Sequence, residues 1–377
     1  MPTKSFTWTP GRGKRAKEFL QARDQVIEAI DKVYNNAENY PSDLIYPPYY
    51  GFVGVNCQPL ELDEDGKHLS PPKPIFFRPQ GAAWVAPVLA ADSEGEEDLK
   101  RITEGWDNAQ DHPLVSELHS QVGYVYSALQ RMFFQFRRDF LRGDNEIPPN
   151  LRQKSKWVES GGSERLVFAE EFRGALWGSL RWSPGAAFVP KKLSYPKGSP
   201  PSHTMVMILV EREPSEELSR AEVMTITAAM ITRLEGDDCL EYNTIPFMAI
   251  TIFARMKARI IEAYSSQQRL VMRKTELFDF STNQVANKNM NILLGFMCAD
   301  LVEEVEDEDA KGAKVPANIL EVCTPAGMDF EKNADMNQSQ PNVVKVEKGG
   351  TIRKVLSRMS MFGGPKAESE RPERVGK

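Results

Sequence analysis

The chain has 377 residues, of which 41% are hydrophobic and 27% are charged, and its formal net charge is −6. These values are ordinary for a globular protein, and the negative charge argues against attraction of the whole protein to nucleic acid or an anionic membrane. The four cysteines lie far apart without a CxxC spacing, which excludes a sequence-local zinc site and a dense disulfide framework: Cys57, Cys239, Cys298 and Cys323.

No stretch of the sequence is apolar enough for a membrane span. The longest apolar run, residues 245–254, contains Pro246 and falls far short of the roughly 20 residues that a membrane helix needs. Residues 1–17 are basic but lack the apolar core of a secretory signal. We therefore expect a cytoplasmic or nuclear protein, and no motif indicates a cofactor.

The first part of the chain combines helical and extended patterns. Apolar residues at helical spacing predict an amphipathic helix over residues 14–35, which we treat as a separate element within residues 1–40. A segment rich in tyrosine and proline follows, with short strands predicted at 51–57, 75–78 and 84–88. Frequent prolines keep such strands short and at the edges of a sheet.

Two helices come next in the prediction. The first covers residues 96–108, and the second covers 113–141, where apolar residues recur every three or four positions. Asp111 before the second helix and Gly143 after it are residue types that cap helices. The elements predicted after this helix are two strands and a long polar loop: 165–172, 176–182 and 190–202.

Residues 203–280 carry the clearest local signals. The continuous apolar run Thr204–Val210 predicts a strand that is buried on both faces. Ser219 and Glu222 have the spacing of a capping box, at the start of a helix that ends before Gly236. This helix is apolar or small nearly all round, which predicts that it is largely buried. Three more strands follow at short turns, which favours antiparallel pairing: 247–253, 258–264 and 270–274.

A last helix, 288–305, leads into a tail of different composition. From residue 303 to 377 the chain is rich in charged and polar residues, beginning with the acidic run 303–309, and we predict it to be mostly disordered. Within this tail, residues 351–362 form a possible short basic helix. The fold predicted from these elements is α+β, with one domain over 41–302 that contains a central mixed sheet packed by helices.

Two acids at the end of the 204–210 strand are the weak catalytic alternative. Glu211 and Glu213 precede a helix and another strand, an order that resembles the central part of the restriction-endonuclease-like fold. Enzymes of that fold hold a divalent metal at this position and also use a lysine, which is missing here. Glu170 and Glu171 are the candidate upstream acids. Such a pair more often faces solvent, so we predict no catalytic residue and no metal.

Six cations crowd the strands near the end of this block: Arg255, Lys257, Arg259, Arg269, Arg273 and Lys274. If they share one face of the sheet, that face can bind phosphate groups or an acidic partner. Lysines at sheet edges also prevent aggregation, and this is the simpler interpretation.

The tail segment 351–362 is a candidate binding element. Its residues place apolar and basic side chains on a short amphipathic helix, which glycine pairs bound on both sides. Segments of this kind fold on a protein partner or on a membrane surface. A solvated tail is the alternative, because a helix of this length is marginal by itself.

Parts of the chain resemble a set of uncharacterised proteins of filamentous fungi. The similarity lies in residues 219–225, 245–250, 258–264 and 270–275, and in the tyrosine–proline region with Trp84–Pro87. It extends over about residues 40–280 and leaves the tail out. The resemblance implies a fungal origin and supplies no activity.

The sequence thus favours a non-catalytic interaction or scaffold module that binds an unknown protein partner through its tail. The alternative is a diverged restriction-endonuclease-like protein that binds nucleic acid through the basic sheet face. No cofactor is expected in either case.

Overall fold

A mixed β-sheet between two helical layers organises the protein in the computed structural model. The structure describes residues 10–70, 73–86, 88, 93–109, 117–138, 149–160, 167–179, 181–195, 200–265 and 269–302. The predicted tail 303–377, its helix at 351–362 and the predicted helix caps Asp111 and Gly143 lie outside these residues.

The helices of the described residues follow the chain in this order: α1 Pro10–Glu38, α2 Tyr50–Val53, α3 Ala82–Val85, α4 Ser93–Glu104, α5 Leu118–Phe134, α6 Leu151–Lys154, α7 Glu170–Trp177, α8 Arg220–Glu235 and α9 Asn283–Met297. The strands are β1 Leu44–Ile45, β2 Val55–Pro59, β3 Phe77–Arg78, β4 Trp157–Glu159, β5 Trp182–Pro190, β6 Thr204–Val210, β7 Leu218–Ser219, β8 Phe247–Phe253, β9 Lys257–Ser265, β10 Leu270–Lys274, β11 Phe278–Asp279 and β12 Asp300–Leu301.

The large sheet has the strand order β2-β10-β9-β8-β6-β5-β4, and β11 pairs with the free end of β9. The pairs β6–β8 and β10–β2 are parallel, whereas β8–β9 and β9–β10 are antiparallel. The sheet is therefore mixed and packed by helices, which confirms the predicted α+β fold. Two small sheets, β1–β7 and β3–β12, lie outside it.

The middle strands β6 and β8 are almost entirely apolar because both faces of the sheet are covered. On β8, Met248 and Ile250 belong to the core under α5 and α9, whereas Phe247 and Ala249 belong to the core under α1 and α8. Successive side chains of a strand point to opposite faces, so burial on both sides favours apolar residues at most positions. Helix α1, predicted as a separate element, contributes to the core on the α8 side.

Helix α8 begins with the predicted capping box. The Ser219 hydroxyl accepts the Glu222 amide at 3.2 Å, and the Glu222 carboxylate accepts the Ser219 amide at 2.8 Å. Every residue from Ala221 to Leu234 is buried. The helix therefore forms the connection between β6 and β8 as a fully enclosed core element, which its apolar composition predicted.

Several predicted elements are wrong. Within the strands predicted at 84–88 and 165–172, residues 84–85 belong to helix α3 and residues 170–172 to helix α7, and the strand predicted at 51–57 is helix α2 followed by β2. Short apolar runs do not distinguish the two structures. Gly54 separates α2 from β2 with φ +97°, and a Cβ there would lie 2.9 Å from Val33 Cγ2, so only glycine fits the turn.

The boundaries of two helices also differ from the prediction. Helix α5 ends at Phe134, because Arg137 forms a β-bridge with Asn150 and Arg138 is buried among backbone carbonyl groups. Helix α9 begins at Asn283, five residues earlier than predicted, and ends at Met297. Strand β12 follows the helix and pairs with β3. The chain is therefore extended at residues 300–301, within the range predicted to be helical.

Candidate functional site

The two acids of the catalytic alternative belong to two separate ion pairs. Glu211 lies 2.5 Å from Nδ1 of His119, and Glu213 receives Nε and Nη2 of Arg255, both at 2.9 Å. Between them, Arg212 pairs with Asp43. The two carboxylates therefore bind different partners and do not converge on one point where a metal ion could bind.

A metal site needs several ligand side chains that converge on one point. In the part of the chain that the structure describes, no group of three or more His, Cys, Asp or Glu side chains could hold a metal ion. The candidate upstream acids Glu170 and Glu171 lie in the first turn of α7, where Glu170 contacts Arg173 at 3.3 Å. The described residues therefore do not supply the metal ligands that the nuclease interpretation needs.

The Glu213–Arg255 pair has a small expected effect on stability. Its side chains are 62% and 55% exposed, so water and salt screen the attraction. We expect Glu213→Gln to change the free energy of unfolding by less than about 1 kcal/mol, measured by urea denaturation. A loss above about 2 kcal/mol would show that the pair holds the β8–β9 turn in place.

The six cations do not share one face of the sheet, which was the condition for a basic binding face. Along β9, Lys257 and Arg259 alternate with residues that face α9, so both point to the face of the sheet away from α9. On β10, Lys274 points to the same face as Lys257 and Arg259, whereas Arg273 points to the other face. Arg255 lies in the β8–β9 turn, and Arg269 is exposed just before β10. Lys257 and Lys274 each pair with a carboxylate, at 3.0 and 3.2 Å.

Arg259 is fully buried and forms an ion pair with Glu222. Its Nε donates to the Glu222 carboxylate at 2.7 Å, and its other nitrogens donate to three carbonyl groups: Ser215 at 3.0 Å, Glu216 at 3.2 Å and Glu217 at 2.8 Å. Burial alone would raise the pKa of Glu222, but the attached guanidinium lowers it below its ordinary value. The pair fixes the 215–217 loop to the start of α8.

Arg273 is also a structural residue. It donates to the carbonyl oxygens of Lys73 and Pro74, the latter at 2.9 Å, and its guanidinium lies 5.1 Å from the centre of the Tyr264 ring. Only 4% of the residue is exposed. Arg259→Glu and Arg273→Glu would therefore disturb folding and could not serve as a clean test of nucleic-acid binding.

A groove of about 1,220 Å³ lies beside the edge strand β2. Its walls come from the chain around the start of α2, β2 with the loop that follows it, the loop before β7, the residues from the end of β10 to β11, and Asn289 of α9. Its described lining residues include Pro47, Tyr50, Cys57, Glu61, Leu62, Leu69, Glu216, Glu217, Lys274, Glu276, Phe278 and Asp279. We call this feature the acidic groove.

Negative charge dominates the acidic groove. Its described lining carries five carboxylates and one ammonium group, and Lys257 outside the lining pairs with one of the five, Asp279, at 3.0 Å. Glu61, Glu216 and Glu276 are exposed, whereas Lys274 is 17% exposed and held by Glu216. The pKa of Glu217 is lowered by the hydrogen bond from Ser215, so this carboxylate is charged at neutral pH. The groove is suited to a cationic ligand.

Apolar side chains are exposed at the same place. Tyr46 and Tyr49, next to the lining residues Pro47 and Tyr50, are about half exposed, and Leu69 in the lining is 62% exposed. Large apolar groups in water next to a groove are typical of a surface that binds another chain.

The remaining polar groups of the groove are neutral. Burial raises the pKa of the Cys57 thiol, with only partial opposition from Lys274, and burial also raises the pKa of Tyr50. The Tyr50 hydroxyl accepts the Leu218 amide at 3.3 Å. Because the thiolate is the nucleophilic form of cysteine, this geometry favours binding by hydrogen bonds over covalent chemistry.

Sequence reasoning did not find the acidic groove. The Tyr46–Tyr50 segment was recognisable as rich in aromatic residues and proline, and this composition was the available signal. The acids, however, come from residues 61, 216–217 and 276–279, which have no common spacing. Only the packing of β2 beside β10 brings them together.

Comparison with known proteins gives no further information on the site. No protein-family model matches the chain, and neither a curated protein nor a solved structure is similar to it. The resemblance to fungal proteins and the nucleic-acid alternative therefore stay predictions. Among the described residues, no helix has both the length and the apolar character needed to cross a membrane.

Proposed function

We propose that the protein is a non-catalytic interaction module whose acidic groove binds a basic amphipathic segment. The observation that carries this proposal is the combination of five carboxylates with exposed apolar side chains at one groove. Its volume of about 1,220 Å³ exceeds the roughly 300–1,000 Å³ that is usual for small-molecule sites. A peptide with cationic and apolar side chains has the matching chemistry.

The proposed occupant is residues 351–362 of a second copy of the chain. This segment carries Arg353, Lys354 and Arg358 together with Ile352 and Leu356. The basic residues complement the groove carboxylates, and the apolar residues complement Tyr49 and Leu69. Because a helix of 12 residues is marginal by itself, ordering it on binding reduces the affinity, and we expect binding in the micromolar range.

Titration of a labelled peptide tests the proposal. The probe is residues 349–364, followed by fluorescence anisotropy at 50 mM salt. The receptor is the full-length chain with Arg353→Glu, Lys354→Glu and Arg358→Glu, so that its own tail does not compete. We expect saturable binding, and a peptide with the same three charge reversals should bind at least about tenfold more weakly.

Groove variants of the receptor identify the site. Glu61→Lys with Glu276→Lys should weaken binding about tenfold or more, because both acids are exposed in the lining. Asp24→Lys with Glu28→Lys on α1 is the matched control, with the same change of charge at exposed positions outside the groove. Equal weakening by both pairs, or no saturation at 1 mM peptide, would contradict the proposal.

A further inference from the structure

A second charged surface, independent of the acidic groove, lies at the other edge of the sheet. Five cations surround the start of β4: Arg152, Lys154, Lys156, Lys191 and Lys192. Three of them, Arg152, Lys154 and Lys192, are exposed. We call this group the β4 basic cluster.

The local fold holds the cluster together. The Lys191 amide donates to the Lys156 carbonyl at 2.7 Å, which continues the β4–β5 pairing. The Lys191 ammonium donates to the carbonyls of Arg152 at 2.7 Å and Ser155 at 2.8 Å, at the end of α6. The Arg152 guanidinium lies 5.1 Å from the centre of the Phe134 ring. The cations thus have fixed backbone positions at one edge.

The charge of the cluster is mostly uncompensated in the described part of the chain. Lys156 pairs with Asp300 at 2.7 Å, but no described carboxylate lies at ion-pair distance from Arg152, Lys154 or Lys192. Burial lowers the pKa of Lys191, and repulsion from the neighbouring Arg152 lowers it further. An anionic ligand would relieve this repulsion.

The chain itself carries an anionic segment that begins next to the cluster. The Asp300 carboxylate contacts Lys156, and the Asp300 backbone lies opposite Arg78 in the antiparallel β3–β12 strand pair. The described residues end at Val302. Six of the next seven residues, 303–309, are acidic. An extended chain spans at most about 3.5 Å per residue, so residue 303 lies within about 10 Å of Asp300 and residue 309 within about 30 Å. Lys154 is two residues from Lys156, which places the whole cluster within reach.

We propose that the β4 basic cluster is a polyanion-binding surface and that residues 303–309 of the same chain occupy it. The short connection to Asp300 gives the segment an effective concentration in the millimolar range at the cluster, so several weak charge pairs suffice. The bound segment then competes with any external polyanion for Arg152, Lys154 and Lys192. Salt weakens the contact, because the cations concerned are exposed.

Zero-length carbodiimide cross-linking of the full-length chain tests the contact directly. The reagent joins an amine and a carboxylate that touch, and mass spectrometry locates the joined residues. We expect cross-links from residues 303–309 to Lys154 and Lys192 at 50 mM salt, and their loss at 500 mM salt. Lys156–Asp300 is the internal positive control. Detection of the Lys156–Asp300 cross-link without any cross-link from residues 303–309 to Lys154 or Lys192 would overturn the proposal.

Competition with a labelled heparin oligosaccharide tests whether the segment occupies the surface. The variant chain has Gln or Asn at all six acidic positions of 303–309 and should bind this probe at least tenfold more tightly than the unmodified chain. Adding Lys154→Glu and Lys192→Glu should abolish the gain. The matched control has amides at six acids of the distant tail, Asp329, Glu331, Asp335, Glu368, Glu370 and Glu373, which changes the net charge equally. The same gain in this control would overturn the proposal.

Discussion

Arg259→Leu is expected to lower the free energy of unfolding by about 3–5 kcal/mol, the usual cost of removing one partner of a buried ion pair. The Arg259 and Glu222 side chains are both 0% exposed. Without the guanidinium, the Glu222 carboxylate would stay buried without a cationic partner, although it would keep the capping contacts of Ser219. The three carbonyl groups of the 215–217 loop would lose their donor as well. Urea denaturation monitored by tryptophan fluorescence measures the loss.

A second substitution separates the charge from the packing. Glu222→Gln added to Arg259→Leu removes the isolated charge and retains the residue type of a capping box, so we expect it to recover a substantial part of the lost stability. Glu213→Gln, at the exposed pair with Arg255, is the matched control with little effect. If Arg259→Leu lowers the free energy of unfolding no more than Glu213→Gln does, the Arg259–Glu222 pair does not stabilise the fold.

His203 is expected to make the protein less stable as the pH falls from 6.5 to 4. Burial lowers the pKa of its imidazole from 6.5 to about 4 in the folded state. The ring donates from Nε2 to the Phe76 carbonyl at 3.0 Å and packs edge-on against Phe77 at 5.1 Å. The folded protein therefore keeps this side chain neutral at a pH at which the unfolded chain protonates it.

The direction of the effect follows from proton binding. Between pH 6.5 and 4 the unfolded state binds more protons, so stability decreases as the pH decreases. The contribution is fully present above pH 6.5 and is lost as the pH falls toward 4, by about 3 kcal/mol in total. Between pH 7 and 4.5 the loss from this residue should be about 2 kcal/mol.

His203→Gln isolates this contribution. The glutamine amide can donate to the Phe76 carbonyl but does not titrate. Urea denaturation at several pH values should show a flatter pH dependence for the variant than for the unmodified protein. Nitrogen chemical shifts of the imidazole at pH 5 report its protonation directly. Parallel pH dependences, or a protonated His203 in the folded protein at pH 5, would refute the explanation.

Local patterns predicted the 203–280 block well. The bounds of β6, β8 and β10 agree with the sequence prediction, and so does the capping box of α8. In these elements the signal is local, because a strand or helix buried on all sides is apolar at most positions. The errors at 84–88 and 165–172 arose where a short apolar run fits a helix and a strand equally well.

The candidate sites were much less predictable. Counting cations along β9 and β10 suggested a basic face, but Arg259 and Arg273 point to opposite sides of the sheet and are buried. The acidic groove and the β4 basic cluster were missed. Each depends on residues that are distant in sequence, such as Glu61 with Glu276, or Lys154 with Lys192.

The sequence by itself determined the α+β class, the central strand–helix–strand unit and the burial of α8, because hydrophobic periodicity and helix capping act over a few neighbouring residues. Only the tertiary structure decided which charges are structural and which face solvent. The sequence does not distinguish an arginine exposed to water from one that, like Arg259, is buried against Glu222. Its role depends on a partner 37 residues away that folding places beside it.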